Sequence, residues 1–369
     1  MPRWSPSNDA SASSKHRRRL FLREGSELRI VLLGFGVVNQ SLVKMLVTRK
    51  EELLDLHGFR PRIVAVVDRG GAAVNPKGLD LATLLRSKAE EGTVAAVPGF
   101  GHPSLGPMEV IRDVAAEAVV EATPTDLRSG EPAISHIKAA FMARRHVVTS
   151  NKGPLALALP TLEGLAKFNH VSLRFSGTVG GGTPVLEIGR FLQGDRVLAI
   201  RGILNGTTNY VLTEMDERGI SFDEALAGAQ ELGYAEADPS GDVDGVDSAA
   251  KLVILANWTM KRKCTLKDVD VTGIRGVTLD DMRRARAAGR TIKLLATIDG
   301  GLKVRPTEMD RQNPLAVSGV LNAVTFVSEF AGEETIVGRG AGGPETASAI
   351  LRDLIEVKQT LAETTSALS

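Results

Sequence analysis

The chain has a single cysteine, Cys264, in 369 residues. One thiol makes no intrachain disulfide and cannot build a cysteine-rich zinc site. Net charge is also nearly absent: 45 Lys plus Arg face 44 Asp plus Glu. That balance gives no phosphate-tracking surface and argues against nucleic-acid binding. Long apolar runs are missing, none reaching the ~18 residues that span a bilayer, so no membrane association is expected. Aromatics are few, whereas glycine is abundant at 38 residues, the balance of a fold with many tight loops. At roughly 150 residues per domain the length predicts two domains, or one domain with a large insertion. The expected location is cytoplasmic.

Residues 1–25 are rich in Ser and basic side chains, including the run Lys15-His16-Arg17-Arg18-Arg19. They contain no apolar h-region and so form no secretory signal peptide. They read either as a disordered basic tail or as a transit-type leader, and are set apart from the fold.

The folded part opens with a buried-strand pattern at 28–33, followed by Gly34-Phe35-Gly36-Val37-Val38-Asn39 and a helical pattern to about Leu56. A second buried strand, 62–67, ends at Asp68. Strand, Gly-rich turn, helix, strand is the order of a dinucleotide-binding unit. Gly34 makes the tight turn, and Gly36 lets backbone amides approach a pyrophosphate at the helix N-terminus. Asn39 takes the third glycine's place, where close helix–strand packing normally wants no side chain. Asp68 is placed to accept from a ribose 2′-hydroxyl, favouring NAD, while Arg69 beside it is suited to the 2′-phosphate of NADP. The cofactor is thus NAD or NADP.

A second G-x-G-x-x-G, Gly338 to Gly343, is followed by only 26 residues, too few for another mononucleotide half. It reads as a glycine loop lying against a ligand held elsewhere, followed by a helix that packs back on the first domain. Strands at 118–122 and 146–149 end in Thr123-Pro124-Thr125 and Ser150-Asn151-Lys152-Gly153-Pro154. Ligands lie beyond the carboxyl ends of such strands, which puts Thr123 and Lys152 toward the nicotinamide. Lysine at a helix start opposes the helix dipole, an arrangement better explained by function than by folding.

A strand at 171–175 runs into the loop Ser176-Gly177-Thr178-Val179-Gly180-Gly181-Gly182-Thr183. After a strand at 197–204 comes Asn205-Gly206-Thr207-Thr208, which reads equally as a substrate loop and as a helix N-cap. Residues 236–247 hold five carboxylates in twelve positions, broken by Gly and Pro. The spacing misses the calcium-loop pattern and lacks its closing Glu; ammonium recognition and a solvated acidic loop both remain open. Asp247 and Lys251, four apart at the start of an apolar helix, share one face. A lysine at the polar edge of a buried segment is suited to proton transfer.

The stretches SNKGP, GTVGGGTP, GILNGTTNY, GYAEADPSGDVDGVDSAAK and GRGAGGPETASAILRD together resemble the homoserine dehydrogenase family across about residues 28–357. The resemblance implies an α/β fold: a Rossmann-type doubly wound parallel sheet at 26–178, completed by 340–369, plus an α+β substrate and dimerisation domain at 179–339. It implies NAD(P)-dependent interconversion of L-homoserine and L-aspartate 4-semialdehyde on the route to threonine and methionine, by a homodimer. By motif, Lys251 is the acid/base and Lys152 the second active-site lysine. Glu236 and Asp247 bind homoserine, with Asp242 in the same loop and Gly206 and Thr207 nearby. Gly342 touches the cofactor. Backbone at Val179, Gly181 and Thr183 would hold a monovalent cation, sodium or potassium; the family usually has a glutamate where this chain has Ser176. The residues after the last glycine loop leave no room for an ACT-type domain or a fused aspartate kinase, so no threonine feedback through such a domain is expected. The rival readings are another two-domain NAD(P) oxidoreductase of amino or oxo acids and a non-catalytic NAD(H) sensor.

Overall fold

Apolar runs that alternate between two faces build the first sheet. The computed structural model describes residues 27–368, so the basic leader at 1–25 lies outside the described residues. Strands β1 (Leu28–Leu33), β2 (Pro61–Asp68), β3 (Gly71–Val74), β4 (Gly101–His102), β5 (Ala118–Glu121), β6 (His146–Thr149) and β7 (Leu173–Arg174) form one sheet in the order β4-β3-β2-β1-β5-β6-β7. The five strands from β2 to β7 are parallel, and β3 and β4 extend the β2 edge antiparallel. Helices α1 (Val37–Thr48), α2 (Lys50–His57), α3 (Leu81–Glu91), α4 (Pro107–Asp113), α5 (Ala133–Met142) and α6 (Lys152–Phe168) connect them. Ile30 and Leu32 of β1 pack with α1 and α3, whereas Val31 and Leu33 pack with α4 to α6. Both faces are therefore covered, as a parallel sheet requires. The strand order reverses between β1 and β5, which sets a crevice at their carboxyl ends.

Beyond α7 (Val185–Phe191), the chain continues through β8 (Val197–Ile203), α8 (Gly206–Arg218), α9 (Phe222–Glu231), α10 (Ser240–Val243), α11 (Val246–Thr259), β9 (Val269–Val271), α12 (Leu279–Ala287), β10 (Arg290–Asp299), β11 (Gly301–Asp310), β12 (Leu321–Ser328) and β13 (Gly332–Arg339). These strands form a second sheet, β13-β12-β8-β10-β11-β9, antiparallel except for the β11–β9 pair. Helix α11 lies in the core, with every residue from Ser248 to Asn257 buried. Its neighbours include α6 of the first sheet and β10 of the second. The closing helix α13 (Gly343–Leu368) returns to the first sheet, where Ala347, Ile350, Leu351 and Leu354 join the α1 side of the core.

Several boundaries differ from the sequence reading. The first helix breaks at Arg49 into α1 and α2, and Gly58 caps α2 in the left-handed region. The 171–175 strand shrinks to Leu173–Arg174, and α6 begins at Lys152 rather than near Pro154. The acidic stretch is not wholly loop: Asp242 sits in α10 and Asp247 in the first turn of α11. Among the described residues no helix is long and apolar enough to cross a membrane.

Candidate active site

The glycine turn has the geometry that a pyrophosphate needs. Gly34 has φ +79°, and a Cβ there would lie 2.5 Å from the Ala122 carbonyl oxygen, so only glycine lets β1 leave the sheet beside β5. A Cβ on Gly36, the N-cap of α1, would meet nothing, and no side chain caps the helix. Orphan amides therefore open α1 beside empty space, with Val37 70% exposed. Phe35 is buried and packs in the core, and Val38 packs beside it. Asn39 is fully buried, and its Nδ2 donates to the Gly34 carbonyl at 2.6 Å. The residue in the third glycine's place thus braces the turn instead of crowding it. These features fit a dinucleotide.

Asp68 is not poised as an isolated acceptor. Its Oδ1 receives the Gly70 amide at 2.9 Å and the Thr93 hydroxyl at 2.8 Å; Oδ2 receives Lys88 Nζ at 2.7 Å and the Val94 amide at 3.0 Å. Burial opposes its ionisation, but these donors together hold the carboxyl below its ordinary range. Arg69 beside it is exposed.

The carboxyl ends of β5 and β6 lead from this turn to the lysines. Buried Glu121 takes hydroxyl donors from Thr123 and Thr149, the latter at 3.2 Å. The Asn151 side chain caps α6 by accepting from the Gly153 amide at 3.1 Å, and its Nδ2 donates to the Thr123 carbonyl at 3.1 Å. That cap fixes Lys152 at the first helical position. Its Nζ lies 3.4 Å from Asp247 Oδ1.

Lys251 approaches the same acid from α11. It is only 6% exposed, and its Nζ lies 2.7 Å from Asp247 Oδ2 while donating to the Leu204 carbonyl at 2.6 Å. Asn205, the N-cap of α8, accepts from the Thr208 amide at 2.9 Å and donates through Nδ2 to Asp242 at 2.6 Å and Asp247 at 3.0 Å. Burial raises the Asp247 pKa, but Lys251, Lys152 and Asn205 overcome it and hold the carboxyl far below its usual range. Asp242 goes the other way: burial, then the neighbouring Asp247 charge, push it up against the pull of Asn205. Thr207 is buried and donates to the Tyr234 carbonyl at 2.7 Å, and Gly206 lies close under the Val320 carbonyl. Glu236, by contrast, is exposed, outside the hydrogen-bond cluster around Asp247.

The two glycine loops meet. A Cβ on Gly181, where φ is +55°, would come within 2.9 Å of the Gly340 backbone. One on Gly343 would strike Val37 at the start of α1, so Gly343 lies against the first glycine turn, with Gly342 (φ +131°) next to it in the chain. In the loop expected to hold a cation, the Thr183 carbonyl already accepts from the Val185 amide at 2.8 Å. Ser176 is held from α13: its amide and hydroxyl donate to the Asp353 carboxylate at 2.9 and 2.5 Å.

The sequence reading missed Asn205 as a donor to both acids, Glu121, Asp353 and the Leu204 carbonyl. Only Asn205 had a local signal, the cap before Thr208. The others join segments far apart in the chain.

Comparison with known proteins follows the same lines. The family model for homoserine dehydrogenase matches residues 184–355. The chain is 44% identical to a homoserine dehydrogenase of Methanocaldococcus jannaschii, covering 89% of this chain and 98% of that one. It is 42% identical to an NAD(+)-dependent homoserine dehydrogenase of Pseudomonas canavaninivorans, covering 90% and 97%. The structure of a hyperthermophilic archaeal homoserine dehydrogenase in complex with NADPH superposes with a TM-score of 0.80 at 29% identity, over 91% of this chain and 98% of that one. The chain belongs to the homoserine dehydrogenase family.

Proposed function

We propose that the chain interconverts L-homoserine and L-aspartate 4-semialdehyde with NAD or NADP, and that Lys251 carries the proton. The observation behind this reading is the pair of lysines on one carboxylate at the end of the parallel sheet. An ammonium has three donors; Leu204 and Asp247 take two of those on Lys251, leaving one for a substrate oxygen. In oxidation the amine form of Lys251 takes the hydroxyl proton, and in reduction the ammonium returns it. Lys152 stabilises the developing negative charge on the same oxygen. Glu236 and Asp247 hold the substrate ammonium, Asp242 lies alongside, and Gly206 and Thr207 line the loop, fixing the reactive geometry.

A bound dinucleotide supplies the hydride acceptor or donor. Gly34, Phe35, Gly36, Val37 and Val38 would hold its pyrophosphate, Thr123 and Lys152 would face its nicotinamide end, and Gly342 would close over it. Asp68 and Arg69 would meet the adenosine ribose. The engagement of Asp68 by four internal donors, with Arg69 exposed beside it, favours acceptance of a 2′-phosphate.

The division into 26–178 with 340–369, and 179–339, is our reading; the separation into two sheets and the return of α13 support it. Sodium or potassium would bind at the backbone of Val179, Gly181 and Thr183. Replacing either ion with choline in the assay tests this by the activity lost. A homodimer is favoured by β13, an eight-residue edge strand with Val337 exposed, because an open edge is normally covered; light scattering on the purified chain reads it. The cytoplasm is where we place it, which cell fractionation checks.

The first test is L-homoserine with NAD or NADP, followed by the absorbance of the reduced nicotinamide. Turnover is expected. A protein that binds dinucleotide but turns over no homoserine would leave the fold intact and remove the function.

A further inference from the structure

Helix α8 carries a second polar cluster beyond the active-site loop. Its residues Asn209, Thr213 and Asp216 meet Thr291 and Lys293 of β10 and Arg311 after β11. Between them lies a cavity of about 170 Å³, lined by Thr213, Asp216, Glu217, Thr291, Lys293 and Arg311, with Ala316 and Ser318 at its wall. None of these residues belongs to the site around Asp247.

Lys293 is the unusual member. It is 2% exposed, and its ammonium donates to Asn209 Oδ1 at 2.9 Å and Thr213 Oγ1 at 3.1 Å. Both partners are neutral, and no acceptor for the third proton is found among the described residues. The two nearby acids are engaged elsewhere: Asp216 receives Arg311 Nη2 at 2.6 and 2.7 Å and the Thr291 hydroxyl at 3.0 Å, and Glu217 at the exposed side receives the Ser318 hydroxyl at 3.3 Å. Arg286 adds a bond to the Asp216 carbonyl at 2.6 Å. Burial lowers the Lys293 pKa to about 8, with Asp216 and Glu217 pulling up and Arg311 pushing down. The group is thus mostly an ammonium at neutral pH.

A buried ammonium whose direct partners are all neutral is unfavourable, and an apolar residue of similar size would serve packing better. We propose that this cavity binds a small monoanion, a carboxylate or an inorganic oxyanion, seated on Lys293 with Arg311 at its side. The anion supplies the missing acceptor and puts a negative charge in direct contact with the ammonium. Thr213 is already committed to Lys293, the Gly319 amide and the Asn209 carbonyl, so it holds the ammonium in place. The same helix begins at Asn205, Gly206 and Thr207, so a ligand on Lys293 bears on the element that carries one wall of the active site.

The test is titration of the full chain with acetate and, separately, inorganic phosphate. A bulky sulfonate buffer anion keeps the ionic strength constant, and calorimetry and the thermal midpoint are the readouts. A saturable response to at least one probe is expected, and the probe that gives it distinguishes carboxylate from oxyanion. Lys293→Met and Ala316→Phe, which removes space rather than charge, should each weaken binding by about tenfold or more, in line with loss of a charge-assisted hydrogen bond. Cooperative melting confirms that each variant is folded; should Lys293→Met fail to fold, Ala316→Phe decides alone. No saturable response in the wild type means a cavity holding only water, and overturns the proposal. Unchanged affinity in the folded variants places the anion elsewhere, at Lys152 and Lys251 for instance, and overturns it equally.

Discussion

Lys152 and Lys251 share one carboxylate: Asp247 presents Oδ1 to the first at 3.4 Å and Oδ2 to the second at 2.7 Å. Neither lysine is near the other in sequence, and α6 and α11 must pack together to bring them there. Both ammonium groups face that one carboxylate, with Asp242 held alongside by Asn205, so an oxygen that becomes negative between them would meet two positive charges.

Lys251→Ala should lower kcat by about a hundredfold to ten-thousandfold, the usual contribution of a positioned proton carrier. Dinucleotide affinity, read by quenching of protein fluorescence, should hold. Near-normal turnover would remove Lys251 from its role.

Asn205 does two jobs that substitutions separate. Asn205→Ala loses the cap of α8, worth about 1 kcal/mol, and also the donor to Asp242 and Asp247. Asn205→Ser keeps a capping oxygen but loses the amide NH2 that reaches both acids. Both should raise KM for homoserine, while only the alanine variant should lower the melting temperature appreciably. Equal KM values in wild type and Ser variant would show that the donor does not matter to substrate.

Arg69→Ala should raise KM for NADP by about tenfold, the scale of one charge-assisted hydrogen bond near a surface, and leave KM for NAD nearly unchanged. Asp68→Asn should chiefly lower the melting temperature, because its carboxylate serves Lys88, Thr93 and two amides. An Asp68→Asn enzyme of normal stability that loses only NAD affinity would reverse this assignment.

Burial pushes the Asp353 carboxyl up to about 7, against the two donors on Ser176. The folded chain then keeps a proton that the unfolded chain has already released near pH 4. Stability from this group is full below pH 4 and is lost as pH rises through 7. The change is on the order of a few kcal/mol at ~1.4 kcal/mol per pKa unit. Denaturant unfolding at pH 5 and pH 7.5 should show a drop in the wild type that Asp353→Asn reduces. An identical drop in both would exclude Asp353 as its source.

What was legible in the sequence follows the range of the forces involved. The β1–turn–α1 unit shows because its apolar run and its glycines are adjacent, and the lysine–acid pair at 247 and 251 shows because one helical turn brings it together. The edge strands β3 and β4, four and two residues long, carry too little pattern to stand out. Asp353 reaching Ser176, and Leu204 accepting from Lys251, depend on which helix returns to which sheet. No local spacing encodes that. For Asn39 the sequence shows a side chain in the third glycine's place, but not the Gly34 carbonyl that accepts from its amide.

The backbone passes between the two sheets once near Gly181 and returns near Gly340, and those two crossings touch. Between these crossings the buried helix α11 packs on α6 of the first sheet and β10 of the second, so one continuous apolar core holds the two sheets together. Lys152 and Lys251 are thus set against Asp247 by the same packing that joins the sheets, and a side chain added at Gly181 would press on the Gly340 backbone at the edge of that seam.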